Sequence, residues 1–385
     1  MKNFRFSPRK ISLVLVAFAA VATGGCNGPT KAGQDARDAA RERMGKASSL
    51  IAFDQAKQSY NSGDFDRGLK QIDEAIGRTP NDYRFWILRG RIQLEKGRLE
   101  EALKEFQRAA VVKTDCAEAY YCQGIVHERW SREDDAVEAY RKAAEIEPTK
   151  VAYLLACAEI MVAQQKYDEA KALLAPKLEY FENNAPMNQL LGQIAMLREE
   201  PAVAVQHYSR ALLIEPHLPN GLDSLVRAQF AAEMWTECLA NVRRLSRESE
   251  GGRTPQRMRC EGRCLAMLGR TADARNVFSE LTRDAPEDVQ AWIDLAAMAW
   301  QMGETTRVKV AAARLLRLAP DRYEGYVFQG LVEEQNGNAD ASREWFKKAA
   351  EIGGASADIA HVLSSLQDRE PPTRALSATS GARGE

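Results

Sequence analysis

The chain has 385 residues, carries 53 Lys and Arg against 54 Asp and Glu for a net charge of −1, and is 45% hydrophobic and 28% charged. That is the composition of an ordinary soluble protein, and the charge balance gives no reason to bind nucleic acid through bulk electrostatics. Length alone suggests two or three domains, a prior that the internal periodicity overrides.

The first 25 residues stand apart. Lys2, Arg5, Arg9 and Lys10 precede an apolar run from Ile11 to Ala22, about half the length needed to span a bilayer. A basic start, a short apolar core and small residues after it read as a secretory signal. Thr23-Gly24-Gly25-Cys26 closes the segment and resembles the lipobox of bacterial lipoproteins, although that family usually has leucine where Thr23 stands. The resemblance implies that Cys26 is lipidated and becomes the new N-terminus, leaving a membrane-tethered protein that faces the periplasm. The rival is ordinary cleavage after Ala20-Val21-Ala22, with Cys26 a plain thiol. Multiple acyl chains on one cysteine anchor firmly. Asn27 is not the aspartate that retains lipoproteins in the inner membrane of enteric bacteria, so the resemblance favours the outer membrane. Residues 26–48 then form the anchor and spacer; the stretch from Gly28 to Lys46 reads as a flexible tether or as a helix leading into the next segment.

From there the chain is periodic. Prolines fall at 80, 148 and 216, each 68 residues after the last, and at 286 and 320, 34 apart. With the proline at position 32 of a 34-residue unit, units begin near Ser49, Tyr83, Ala117, Val151, Ala185, Pro219, Pro255, Asp288 or Val289, and Tyr323. Position 8 is Gly90, Gly124, Gly192, Gly262 or Gly330, or else Ala56, Ala158 or Ala296; position 20 is small throughout, from Gly68 and Ala102 to Cys238 and Ser342. Small residues at both places suit two helices that cross closely, so position 20 is expected to face position 8. Bulk recurs at position 4 (Trp86, Tyr120, Trp292, Tyr326) and position 24 (Phe106, Tyr140, Tyr208, Phe278, Phe346). Ser62-Gly63-Asp64, Lys96-Gly97 and Asn336-Gly337-Asn338 supply the turns between helices.

This pattern resembles the tetratricopeptide repeat over roughly residues 49–356, with Trp86…Gly90…Ala102…Phe106 and Tyr120…Gly124…Ala136…Tyr140…Pro148 the closest matches. The resemblance implies an all-α, right-handed superhelical solenoid of about nine helix-turn-helix repeats. It is read as one elongated domain, residues 49–367, in which each unit contacts only its neighbours. Ile359 to Leu366 is expected to cap the last unit, and residues 368–385, with Pro371-Pro372, to be disordered. Two departures are expected to show. Pro176 should shorten the second helix of unit four, and Glu250-Gly251-Gly252 adds two residues at the end of unit six.

Candidate chemistry is sparse. Cys260 and Cys264 lie four apart on one helix face, which invites a metal or redox reading. The bland reading is preferred, because Cys264 and Cys238 occupy positions that want small buried side chains and free cysteine behaves as a small hydrophobe. A Cys116–Cys122 bridge is the remaining alternative. No Cys-x-x-Cys pair or zinc-type spacing occurs. His127, His207, His217 and His361 form no ligand spacing and no nucleophile motif. The expectation is therefore no enzyme activity, no cofactor and no metal.

In the family resembled, first-helix positions 2, 5, 9 and 12 line a peptide-binding groove. Carried over, those positions include Arg84, Ile87, Arg91, Leu94, Tyr121, Ile125, Leu155, Met196, Arg227, Phe230, Arg259, Arg263 and Trp300. Aromatic, apolar and arginine side chains together are hot-spot chemistry. Arg227, Arg259 and Arg263 are expected to converge and to receive a partner's carboxylate. The lysine–asparagine arrangement of chaperone-binding members is absent, with Phe53 and Lys57 in those places. The implied function is a membrane-tethered scaffold that binds a protein or peptide during bacterial envelope assembly or secretion. Exopolysaccharide export with a glycan ligand is the alternative, and a passive spacer is a third reading.

Overall fold

A computed structural model describes residues 30–248 and 251–353; the signal segment, Cys26, the expected cap at 359–366 and the tail lie outside the described residues. Among the described residues there are eighteen α-helices, one short 3-10 turn and no strand. They run α1 (Lys31–Asn61), α2 (Phe65–Arg78), α3 (Tyr83–Glu95), α4 (Leu99–Val112), α5 (Ala117–Arg129), α6 (Glu133–Ile146), α7 (Val151–Ala163), α8 (Tyr167–Leu174) and α9 (Ala185–Leu197). The second half continues with α10 (Pro201–Ile214), α11 (Gly221–Ala231), α12 (Trp235–Glu248), α13 (Pro255–Met267), α14 (Thr271–Asp284), α15 (Val289–Gln301), α16 (Thr305–Leu318), α17 (Glu324–Gln335) and α18 (Ala339–Gly353). Six of the nine expected unit starts coincide with helix starts, and residues 31–48 are the leading half of α1 rather than a coil. None of these helices is long and apolar enough to cross a membrane.

Contacts divide the chain into two compact units, one ending at Val126 and the other beginning at His127. Within each, helices pack on their sequence neighbours, and alternate helices also touch, as α1 does α3 and α7 does α9. An array with only nearest-neighbour contacts has no single core spanning its length.

Local chemistry starts the helices. Asp64, Asp82, Asn184 and Asp288 each accept a backbone N–H of the first turn, capping α2, α3, α9 and α15. Between the two helices of each hairpin one residue is left-handed. It is glycine at 63, 97, 269, 303 and 337, but Ser131, Gln165, Glu199 and Glu233 adopt φ of 56–61° at the matching places. A side chain there costs roughly 1–2 kcal/mol, and these four turns carry no glycine signal for a sequence reading to find. Pro176 acts as expected: α8 has only eight residues and tightens into a 3-10 turn at Ala175–Lys177.

The close crossing differs from expectation in one respect. Position 20 is buried throughout, and a Cβ on Gly68 would meet the Ala56 carbonyl oxygen at 3.6 Å. The tightest contact of the position-8 glycines, however, is with the ring at position 24. A Cβ on Gly90 would sit 2.5 Å from the Phe106 ring, on Gly192 2.7 Å from Tyr208, on Gly262 2.5 Å from Phe278 and on Gly330 2.9 Å from Phe346. Where position 8 keeps a Cβ, the partner sixteen residues on is not aromatic: Ala56 with Ile72, Ala158 with Leu174, Val226 with Val242, Ala296 with Ala312. Volume is roughly conserved across the first three of these pairs, as a close-packed interior favours, but not across Ala296 and Ala312.

A second recurring contact falls at three of the periodic prolines. The indole N–H of Trp86 donates to the Pro80 carbonyl and that of Trp292 to the Pro286 carbonyl, both at 2.8 Å, while Tyr326 Oη donates to the Pro320 carbonyl at 3.0 Å. The aromatic at position 4 thus ties down the turn that ends the previous unit.

Candidate functional site

The second compact unit contains a cavity of about 430 Å³ built by α11, α12 and α13. α11 contributes Asp223, Val226, Arg227 and Phe230, one to two helical turns apart and so on one face. α12 contributes Val242 and Leu245, and α13 contributes Gln256, Arg257, Arg259, Cys260 and Arg263. Phe230 is partly buried and meets Trp235 edge to face, with centroids 5.2 Å apart, which fixes the ring at the cavity wall.

The three arginines expected to converge all line this cavity, and each already has an acidic neighbour. Arg227, with 68% of its side chain exposed, pairs with Asp223 one turn away at 3.1 Å. Arg259 donates to Asp288, and Arg263 donates to Asp294 at 3.2 Å. Asp294 is held further by Gln290 at 3.3 Å. Burial pushes the Asp294 carboxyl up from its ordinary range, against the pull of Arg263 and Arg259. Arg259 Nε is buried, lacks a hydrogen-bond acceptor and lies 3.8 Å from Asp294. One guanidinium is therefore open and one buried N–H unsatisfied, so the positive lining is weaker than three free arginines would give.

The other expected groove residues separate into three kinds. Ile87 and Leu94 are buried in the packing of the first unit and cannot line an open surface. Arg84 is spent on Asp82, its own helix cap, at 2.6 Å, and Arg91 on Glu118 at 2.6 Å. Tyr121, Ile125, Leu155, Met196 and Trp300 are partly exposed and outside the cavity. The first unit has its own, more polar cleft of about 850 Å³ between α1 and the start of α3, lined among others by Lys46, Arg78, Asp82 and Arg84.

Sequence reasoning missed Asp288 and Asp294, which lie 29 and 31 residues beyond their arginines. Pairs at that spacing recur because adjacent units stack in register: Lys171 with Glu200 and Arg275 with Glu304 behave alike. The near-34 separation is the one signal that would have found them. The cysteines were also read incompletely. Among the described residues no disulfide is formed, Cys116 and Cys122 included. Cys238 of α12 joins Cys260 and Cys264 of α13, with all three sulfurs within 4.8 Å of one another.

Comparison with known proteins agrees with this architecture. Two models of the tetratricopeptide repeat match, one at residues 53–114, 262–307 and 309–357 and the other at 131–194. Cellulose synthase 2 operon protein C of Komagataeibacter xylinus is 29% identical over 147 residues, covering 34% of this chain and 11% of that protein. Hsp70-Hsp90 organizing protein 3 of Arabidopsis thaliana is 28% identical over 176 residues, covering 43% of this chain and 30% of that protein. The chain thus spans less than a third of either relative. A crystal structure of YrrB, described as a TPR protein with an unusual peptide-binding site, aligns with 50% of this chain and 96% of its own at 17% identity and a TM-score of 0.39. With the two repeat models together covering more than half of its length, on hairpins whose small crossings and aromatic seats recur in phase, the chain belongs to the tetratricopeptide repeat family.

Proposed function

We propose that this protein is a non-catalytic scaffold whose α11–α13 cavity binds a protein or peptide segment carrying an acidic group beside an apolar one. The observation that carries the reading is the lining itself. Phe230, Val226 and Val242 offer apolar surface, Arg227 an exposed guanidinium, and Arg263 a second guanidinium. A partner carboxylate would accept from Arg227 and Arg263, and an apolar side chain would fill the space against Phe230. The name of the organizing relative speaks of assembling proteins, which supports a protein partner. Phe53 and Lys57 give no support for the chaperone clamp, so that role is not part of the proposal.

Tethering completes it. Lipidation of Cys26 would hold the scaffold at a bacterial envelope membrane, facing the periplasm and favouring the outer one, in envelope assembly or secretion; this part rests on the sequence alone. The cellulose synthase operon relative favours a second reading, glycan export. A sugar platform needs an open aromatic face, whereas Trp235 packs on Phe230 and Trp300 lies against Ala299, Val308 and Val332, which weighs against it.

The test is capture from solubilised membranes with the full chain as bait. Arg227→Glu with Arg263→Glu should lower recovery of a specific partner by about tenfold or more. Equal recovery with wild type would remove the cavity from the reading, and glycan recovery lost only on Trp300→Ala would install the alternative.

A further inference from the structure

The cysteine cluster next to the cavity does something the repeat does not require. Position 20 is met elsewhere by glycine, alanine, serine or valine. Cys238 stands there in unit six, facing Cys260 and Cys264, which are one turn apart on the next helix. The Cys238 and Cys260 sulfurs are 3.7 Å apart, and all three lie within 4.8 Å. Three thiols from two helices point at one spot.

We propose that Cys238, Cys260 and Cys264 form a three-thiolate site for a soft d10 cation, Zn2+ or Cu+, with its open position towards the cavity. The geometry is already close. Zinc–sulfur bonds of about 2.3 Å at tetrahedral angles set neighbouring sulfurs roughly 3.8 Å apart, against the 3.7 Å observed for one pair. The donor set selects the ion class, because sulfur-only sites prefer zinc and monovalent copper to hard cations. The nearest carboxylate in sequence, Glu261, is occupied by Arg243 at 2.8 Å and Arg253 at 3.1 Å, so it does not compete. Cys238 and Cys264 are buried, whereas Cys260 is half-buried and lines the cavity, giving the ion a route in and a place for a fourth ligand.

Binding would release protons from the thiols as they become metal-bound thiolates.

The experiment uses the full chain, purified in detergent under reductant and stripped of metal. One equivalent of Co2+ should produce sulfur-to-cobalt charge-transfer absorption together with the visible bands of tetrahedral cobalt, and Zn2+ should bleach both. In a parallel arm, Cu+ is presented from a coloured competing chelator. Retention of zinc or of copper against that competition assigns the ion, and either supports the site. Cys260→Ser should weaken binding by more than the 10–100-fold that losing an outer-shell partner costs. Cys122→Ser should leave it unchanged, and helix content is followed in each variant. A cobalt spectrum without charge-transfer bands, with neither cation retained, overturns the proposal. So does unaltered binding in both Cys260→Ser and Cys264→Ala.

Discussion

Substituting Gly90 by Ala tests the aromatic seat most sharply. The new Cβ would lie 2.5, 2.8 and 2.9 Å from three carbons of the Phe106 ring, where carbon atoms pack best at roughly 3.5–4.0 Å. The ring must therefore retreat by about 1 Å. Phe106 is fully buried, with nowhere to retreat without displacing Ala102, Ala109 or their neighbours. Overpacking of this kind costs about 1–3 kcal/mol, while replacing a mid-helix glycine returns about 0.5–1 kcal/mol. The net expectation is a loss of roughly 1–2 kcal/mol. Phe106→Leu in the same chain recreates the Ala158 and Leu174 pairing of unit four and should recover most of that loss. Urea titrations of the wild type, both single variants and the double variant close the cycle. A coupling of about 0.5–3 kcal/mol is expected between residues in contact. Additive effects, or Gly90→Ala as stable as wild type, would refute the reasoning.

Three further substitutions have definite expected outcomes. Glu233→Gly should stabilise the turn before α12 by about 0.5–1 kcal/mol, because a left-handed residue without a side chain relieves the strain; a lower thermal midpoint would contradict it. Trp292→Phe keeps the ring but loses the N–H to the Pro286 carbonyl, so a destabilisation of about 0.5–1.5 kcal/mol is expected in the same titration. Cys26→Ala should move the protein from the membrane to the soluble fraction on cell fractionation; unchanged sedimentation would remove the lipid anchor from the account.

Much of the fold was legible because a stacked array repeats its constraints. Pro80, Pro148 and Pro216 mark the same turn, and the register they set places Tyr83, Ala117, Val151, Ala185, Pro255 and Val289 at helix starts. The pairing of Gly90 with Phe106 was written in the sequence as well, in the exchange of glycine–aromatic for alanine–aliphatic sixteen residues apart. The small residues at positions 8 and 20 do approach one another, as Gly68 does Ala56, but the tighter contact of the position-8 glycines with the ring at position 24 was overlooked. The turns at Gln165 and Glu233 were illegible for a different reason: the helices on either side force the left-handed backbone, and local sequence does not. The candidate site was visible in part. Arg227, Phe230, Arg259 and Arg263 do share one cavity: helical spacing groups Arg227 with Phe230 on α11 and Arg259 with Arg263 on α13, and the packing of the two helices brings the pairs together. Their partners Asp288 and Asp294 and the third cysteine, Cys238, come from neighbouring helices and needed the stacking to be known.

The central claim is that the α11–α13 cavity holds a protein partner. A photoreactive residue placed at Arg227 and at Arg263 in the native host, with Leu213 (73% exposed and outside the cavity) as control, reads this directly. The account predicts one dominant protein adduct from both cavity positions and none from Leu213. No adduct from the cavity, or the same diffuse products from all three sites, would contradict it.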